Sequence, residues 1–111
     1  MAKLEMTKNV PISQLANRIE QGILHGSVSA SLEERVSYTI GDARCIVMVF
    51  ERYSYMGGNR VSMNVTLFQA GDSPVKICAI TSGGSQAMFF KVNTWGEETF
   101  LDTVTYSHHL C

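Results

Sequence analysis

Apolar residues recur at two different spacings along this chain, and the switch between them divides it. Leu4 and Met6 share one side of Lys3–Thr7, a stretch that reads as a short first strand. Pro11 then opens a helical spacing. Ile12, Leu15, Ala16, Ile19 and Ile23 form one stripe, with Gln14, Arg18 and Gln21 on the polar side. Gly22 weakens such a helix by about 1 kcal/mol relative to Ala, and Gly26 marks its end. From Ser27 the period becomes two. Val28, Ala30 and Leu32 alternate with serines, and Val36, Tyr38 and Ile40 resume the alternation after Glu33–Arg35. That charged interruption reads as a bulge or as a break between two strands.

Gly41-Asp42 is a turn signal, and Arg44–Tyr55 is the strongest strand. Its first half is apolar on both faces, which places it centrally in a sheet. Met56-Gly57-Gly58-Asn59 has the composition of a hairpin turn. Arg60–Phe68 alternates cleanly, with Val61, Met63, Val65 and Leu67 on one side. Ala70–Pro74 is a second hairpin loop, Val75–Thr81 a further strand, and Ser82-Gly83-Gly84-Ser85 breaks that strand. Ala87–Val92 fits a short last strand. Thr94-Trp95-Gly96-Glu97 has the form of a capping box opening a C-terminal helix, whose core face would be Phe100, Leu101 and Val104.

Short connections make the middle strands antiparallel neighbours, and two amphipathic helices need a sheet to cover. The expected fold is therefore α+β: a two-layer antiparallel meander of five or six strands, with an N-terminal and a C-terminal helix on one face. Pairing Tyr55 with Arg60 sets Phe50 opposite Val65 and Met48 opposite Leu67. Glu51, Tyr53, Tyr55, Arg60, Ser62 and Asn64 then share the outer face. Val47, Val49, Phe68 and Ile77 or Ala79 would add an apolar region at one end of it. Exposed apolar area of that kind marks a partner or ligand surface.

The 111 residues make one domain, 1–111, and 45% hydrophobic against 17% charged residues favours a folded chain. Nine Lys+Arg against ten Asp+Glu leave no basic excess, which disfavours nucleic acid and anionic membranes as partners. MAKLEMTKN lacks the apolar core of a secretory signal. The longest apolar run, Cys45–Phe50, is far short of the ~20 residues of a membrane span. A cytoplasmic location follows as the default. Cys45, Cys78 and Cys111 are an odd set without a close pair, so reduced thiols are expected. His108-His109-Leu110-Cys111 lacks the second paired motif of a zinc site, and neither a metal nor a cofactor is expected.

Two clusters carry candidate binding chemistry. In the first, Glu51 offers a carboxylate, Arg52 and Arg60 a possible clamp for an anion, Tyr53 and Tyr55 flat walls, and Asn64 an amide. Set against this, a Glu–Arg pair among tyrosines is also what an ordinary exposed hairpin presents. The second cluster is Ser82, Gly83, Gly84 and Ser85, where consecutive glycines could turn backbone amides toward an anion. No Walker lysine or GxGxxG accompanies them, and a tight turn explains them equally well. No nucleophile elbow or activated cysteine is present, so no catalytic residue is assigned.

Gly26-Ser27-Val28-Ser29-Ala30-Ser31-Leu32-Glu33, Val49–Tyr55 with Gly57–Ser62, Ala79–Ala87, and Gly96-Glu97-Glu98 before Phe100-Leu101 together resemble a small bacterial single-domain family of unknown function. The resemblance spans nearly the whole chain and implies a stand-alone protein, with no activity, cofactor or site residue to carry over. At fold level the element order is also similar to TATA-binding-protein-like and helix-grip domains.

The reading that leads is a non-enzymatic module that binds or self-associates through the outer sheet face, as a homodimer or with a small molecule. One alternative is a ligand-pocket protein or enzyme acting on an anionic metabolite near Ser82–Gln86 and Glu51. Another is a single-stranded nucleic-acid binder using Tyr53, Tyr55 and Arg60 as a stacking platform.

Overall fold

The computed structural model describes residues 2–26, 29–54 and 59–83. Strand β1 (Ala2–Lys8) leads into helix α1 (Ile12–Gly26), and four strands follow: β2 (Ala30–Ile40), β3 (Ala43–Ser54), β4 (Asn59–Ala70) and β5 (Val75–Gly83). They form one antiparallel sheet in the order β1-β5-β4-β3-β2. The last four strands are a meander, and β1 closes on the β5 side. The described fold is thus α+β with an antiparallel sheet. The C-terminal helix and the strand expected at Ala87–Val92 lie outside the described residues.

Helix α1 forms where the helical spacing places it. Pro11 supplies a fixed φ at the entrance, and the Leu15 amide donates to the Pro11 carbonyl at 3.0 Å. Its whole apolar stripe, Ile12, Leu15, Ala16, Ile19 and Ile23, is buried. Each large member contributes roughly 1.5–3 kcal/mol by leaving water. The stripe packs chiefly over β2, β3 and β4. Beneath it the inner sheet face presents Ile46, Met48 and Phe50 of β3 and Val61, Met63, Val65 and Leu67 of β4, all buried. Glu20 of α1 and Arg35 of β2 pin the two layers at one side, with 2.6 Å between Oε1 and Nη1 and both side chains mostly buried.

The β3–β4 register differs from expectation by two residues. Tyr53, not Tyr55, lies opposite Arg60; Phe50 faces Met63 and Met48 faces Val65. The last described pair is Ser54↔Asn59, with four residues between its members, as many as Tyr55↔Arg60 pairing would leave, so loop length alone does not choose between the two registers. Because side chains alternate with period two, an even shift leaves every residue on the expected face. Two further expectations are corrected. Ile77 and Ala79 face inward and are buried, so Cys78 and Ile80 hold the outer positions of β5. Ser82 and Gly83 do not break β5 but continue its ladder, opposite Ser62 and Val61.

The interruption at Glu33–Arg35 is a bulge within a single strand. Leu32 pairs with Phe50 and Glu34 with Val49, leaving Glu33 as the extra residue. One added residue reverses the alternation. Ala30 and Leu32 face the helix and pack against the core, whereas Val36, Tyr38 and Ile40 emerge on the opposite face.

Candidate binding face

The cross-strand registers assemble the outer face row by row. Glu51 lies beside Ser62, which lies beside Ser82; Val49 lies beside Asn64, then Ile80; Tyr53 stands opposite Arg60 at the far end. Five of the expected site residues, Glu51, Tyr53, Arg60, Asn64 and Ser82, therefore share one surface. Tyr55, Gly84 and Ser85 lie outside the described residues.

The polar end of this face is open. Arg60 Nη1 stands 3.5 Å from Glu51 Oε1, with 68% of the arginine side chain exposed. At such exposure the pair contributes at most about 1 kcal/mol. Asn64 accepts at Oδ1 from the Thr66 hydroxyl, 2.8 Å away. Arg52 alternates with Tyr53 and so faces the helix layer, opposite Val61. Arg52 and Arg60 consequently point to opposite sides of the sheet and cannot clamp one anion. Gly83 is accounted for by backbone proximity. Its φ is +110°, and a Cβ there would lie 2.3 Å from the Arg60 carbonyl oxygen. Only glycine fits where β5 approaches β4 so closely.

The apolar end is larger than the sequence suggests. One row runs Tyr38, Cys45, Phe68 and ends at Lys76, and the next runs Val36, Val47, Thr66, Cys78 and ends at Glu5, so the apolar part lies over β2, β3 and β4. Tyr38, Ile40, Phe68 and Ile80 are exposed, and Val36, Val47 and Val49 are half-buried. Tyr38 and Ile40 were missed because their placement depends on the bulge at Glu33. The charged run at that point was the available signal, and it fits a strand break as well as a bulge. Burial pushes the Cys78 thiol above its ordinary value, and the facing Glu5 carboxylate adds to the rise.

A separate cleft of about 540 Å³ lies at the same end of the sheet as the apolar strip, beside the start of the helix. It is bounded by the β1–α1 junction, the Gly41–Asp42 turn and the Gly71–Asp72 turn, with Arg44 and Gln69 on its wall. The two turns are tied by the Gly71 amide donating to the Asp42 carbonyl at 3.0 Å. None of the expected site residues lines it. Among the described residues, no three His, Cys, Asp or Glu side chains gather as metal ligands, and no helix is long and apolar enough to cross a membrane.

No curated protein matches the chain. Residues 1–109 match the model of a family described as "Family of unknown function (DUF6054)". With helix, sheet and both faces accounted for, that match over nearly the full length makes the chain a member of this family.

Proposed function

We propose that the protein is a non-enzymatic association module whose outer sheet face meets a second copy of the chain. The observation that carries this reading is the apolar end of that face, where Tyr38 is 60%, Ile40 81% and Phe68 44% exposed. Monomeric surfaces rarely leave so contiguous an apolar strip in water. Its size supports the reading. Five strands at about 4.8 Å spacing and about eight residues of length give a footprint on the order of 700 Å². A standard interface takes about 800 Å² from each partner. The polar end, with Glu51, Arg60 and Asn64, would form the rim.

The reading keeps a second helix, expected between Thr94 and Val104, on the same side as α1. What supports it is that Leu4, Met6, Ile77 and Ala79 are buried while α1 packs chiefly over the other three strands. It also keeps a cytoplasmic setting, in which Cys45 and Cys78 stay reduced.

Light scattering across a concentration series tests it. The expected result is association at high micromolar concentration that Phe68→Lys weakens at least tenfold, with the unfolding midpoint of the isolated monomer little changed. A chain that stays monomeric throughout overturns the reading, as does a Phe68→Lys chain that associates as before.

A further inference from the structure

We infer that the free edge of β2 pairs with the same edge of a second copy, joining two five-stranded sheets into one of ten. This inference goes beyond the outer-face reading: it adds a second contact between copies, at the edge of the sheet. Strand β2 ends the sheet, and the described residues pair it only with β3. Among the described residues its backbone groups on the other side meet no strand.

The two edges of the sheet are unlike. Along β1, Lys3 and Glu5 put half-exposed charge two residues apart, and Lys3 Nζ lies 2.8 Å from Glu5 Oε1. Along the first half of β2, the bulge and Glu33-Glu34-Arg35 do the same. Both are devices that stop a strand from recruiting another. The second half, Val36-Ser37-Tyr38-Thr39-Ile40, has neither charge nor proline nor bulge, and its residues are well suited to strands. Ser37 through Ile40 are all exposed.

This segment is self-complementary in an antiparallel sense. Centred on Tyr38, it sets Val36 opposite the partner's Ile40, Ser37 opposite the partner's Thr39, and Tyr38 opposite the partner's Tyr38. Apolar residues then meet on the outer face and hydroxyl residues on the helix side. A shift of one residue crosses the faces, and a shift of two toward the N-terminus sets Glu34 against the partner's Ile40. Only the centred register matches at every position. Its twofold axis runs normal to the sheet and sets the two outer faces side by side, so the edge contact taken alone closes at a dimer and is separate from a face-to-face one. Five paired residues are few against a standard interface, so an edge contact alone should be weak, with Kd on the order of 100 µM.

Ser37 and Thr39 decide the matter because they sit at the edge but off the outer face. Ser37→Lys combined with Thr39→Lys sets like charge against like across the twofold. Ser37→Lys combined with Thr39→Glu sets opposite charges together at both pairs. Sedimentation equilibrium of the full chain up to about 1 mM reads the outcome, a range chosen to pass the expected Kd. The inference expects the Lys/Lys chain to dimerise at least tenfold more weakly than the Lys/Glu chain, which itself stays within about threefold of the original. Equal dimerisation of the two variants overturns it. If both dimerise normally while Phe68→Lys does not, the outer-face reading stands and the edge contact fails. If none of the three variants differs from the original, both fail, and a chain monomeric at every concentration also removes both.

Discussion

At the residue scale, Gly83 shows how a backbone contact can look like a binding motif. Glycines beside serines suggest an anion cradle, yet the Arg60 carbonyl leaves no room for a Cβ at position 83. Gly83→Ala should lower stability by roughly 2–3 kcal/mol, since both the φ and the contact oppose it. Gly41 also has positive φ, at +58°, but nothing stands within 4 Å of its missing Cβ. Gly41→Ala should therefore cost only about 1 kcal/mol. Urea unfolding of the two variants checks the order, and equal losses would contradict the steric account. Cys78 gives a pH prediction. Burial first, then Glu5, raises the folded thiol above its ordinary 9.0, with Lys3 opposing. Above pH 9.0 the unfolded chain therefore loses this proton before the folded chain does. The stability held by the neutral thiol is complete below that pH and drains away as pH rises. Between pH 8 and pH 10 the unfolding midpoint should fall more steeply for the original chain than for Cys78→Ser. Identical slopes would remove Cys78 from the account.

At the element scale, β2 is the informative strand. Without the residue at Glu33 its apolar positions would all face one way, under the helix. The bulge divides them, giving Ala30 and Leu32 to the core and Val36, Tyr38 and Ile40 to the outer face. It also turns Arg35 inward, where it meets Glu20. Deleting Glu33 forces a choice between losing Leu32 from the core and driving Arg35 out of its ion pair. Either outcome should cost roughly 2–4 kcal/mol, the range for emptying a buried aliphatic site. A control that removes the charge but keeps the residue, Glu33→Gln, should cost under about 0.5 kcal/mol, as exposed substitutions do. Chemical denaturation separates the two; similar losses would mean that the carboxylate, not the extra residue, is what matters. Helix α1 needed no such help, since one uninterrupted stripe specified its buried face, and Pro11 and Gly26 its limits.

At the scale of the whole molecule, α1 lies on one side of the sheet and the apolar strip on the other. Association through that strip links folding to concentration, because a contact made only by folded chains stabilises them by mass action. The thermal midpoint should therefore rise by a few degrees over a hundredfold increase in protein concentration, and Phe68→Lys should abolish the rise. Calorimetry at several concentrations measures it, and a midpoint independent of concentration in the original chain would speak against association. The cleft between the Gly41–Asp42 and Gly71–Asp72 turns also belongs to this scale. It is built from three segments distant in the chain, and none of them carries a motif of its own.

Much of this protein is local and was readable in advance. The strand, helix and meander order, the buried stripe of α1 and the inward residues of β3 and β4 each follow from a spacing within a few residues. The faces of β3 and β4 survived even a two-residue error in register, because alternation has period two. Three features required the assembled sheet: that β5 continues through Gly83, that Arg52 and Arg60 part to opposite sides, and that Val36, Tyr38 and Ile40 reach the outer surface. Each depends on which residue stands opposite which across strands. Hydrophobic pattern fixes how a strand alternates, whereas the pairing partner and the bulge fix which way that alternation points.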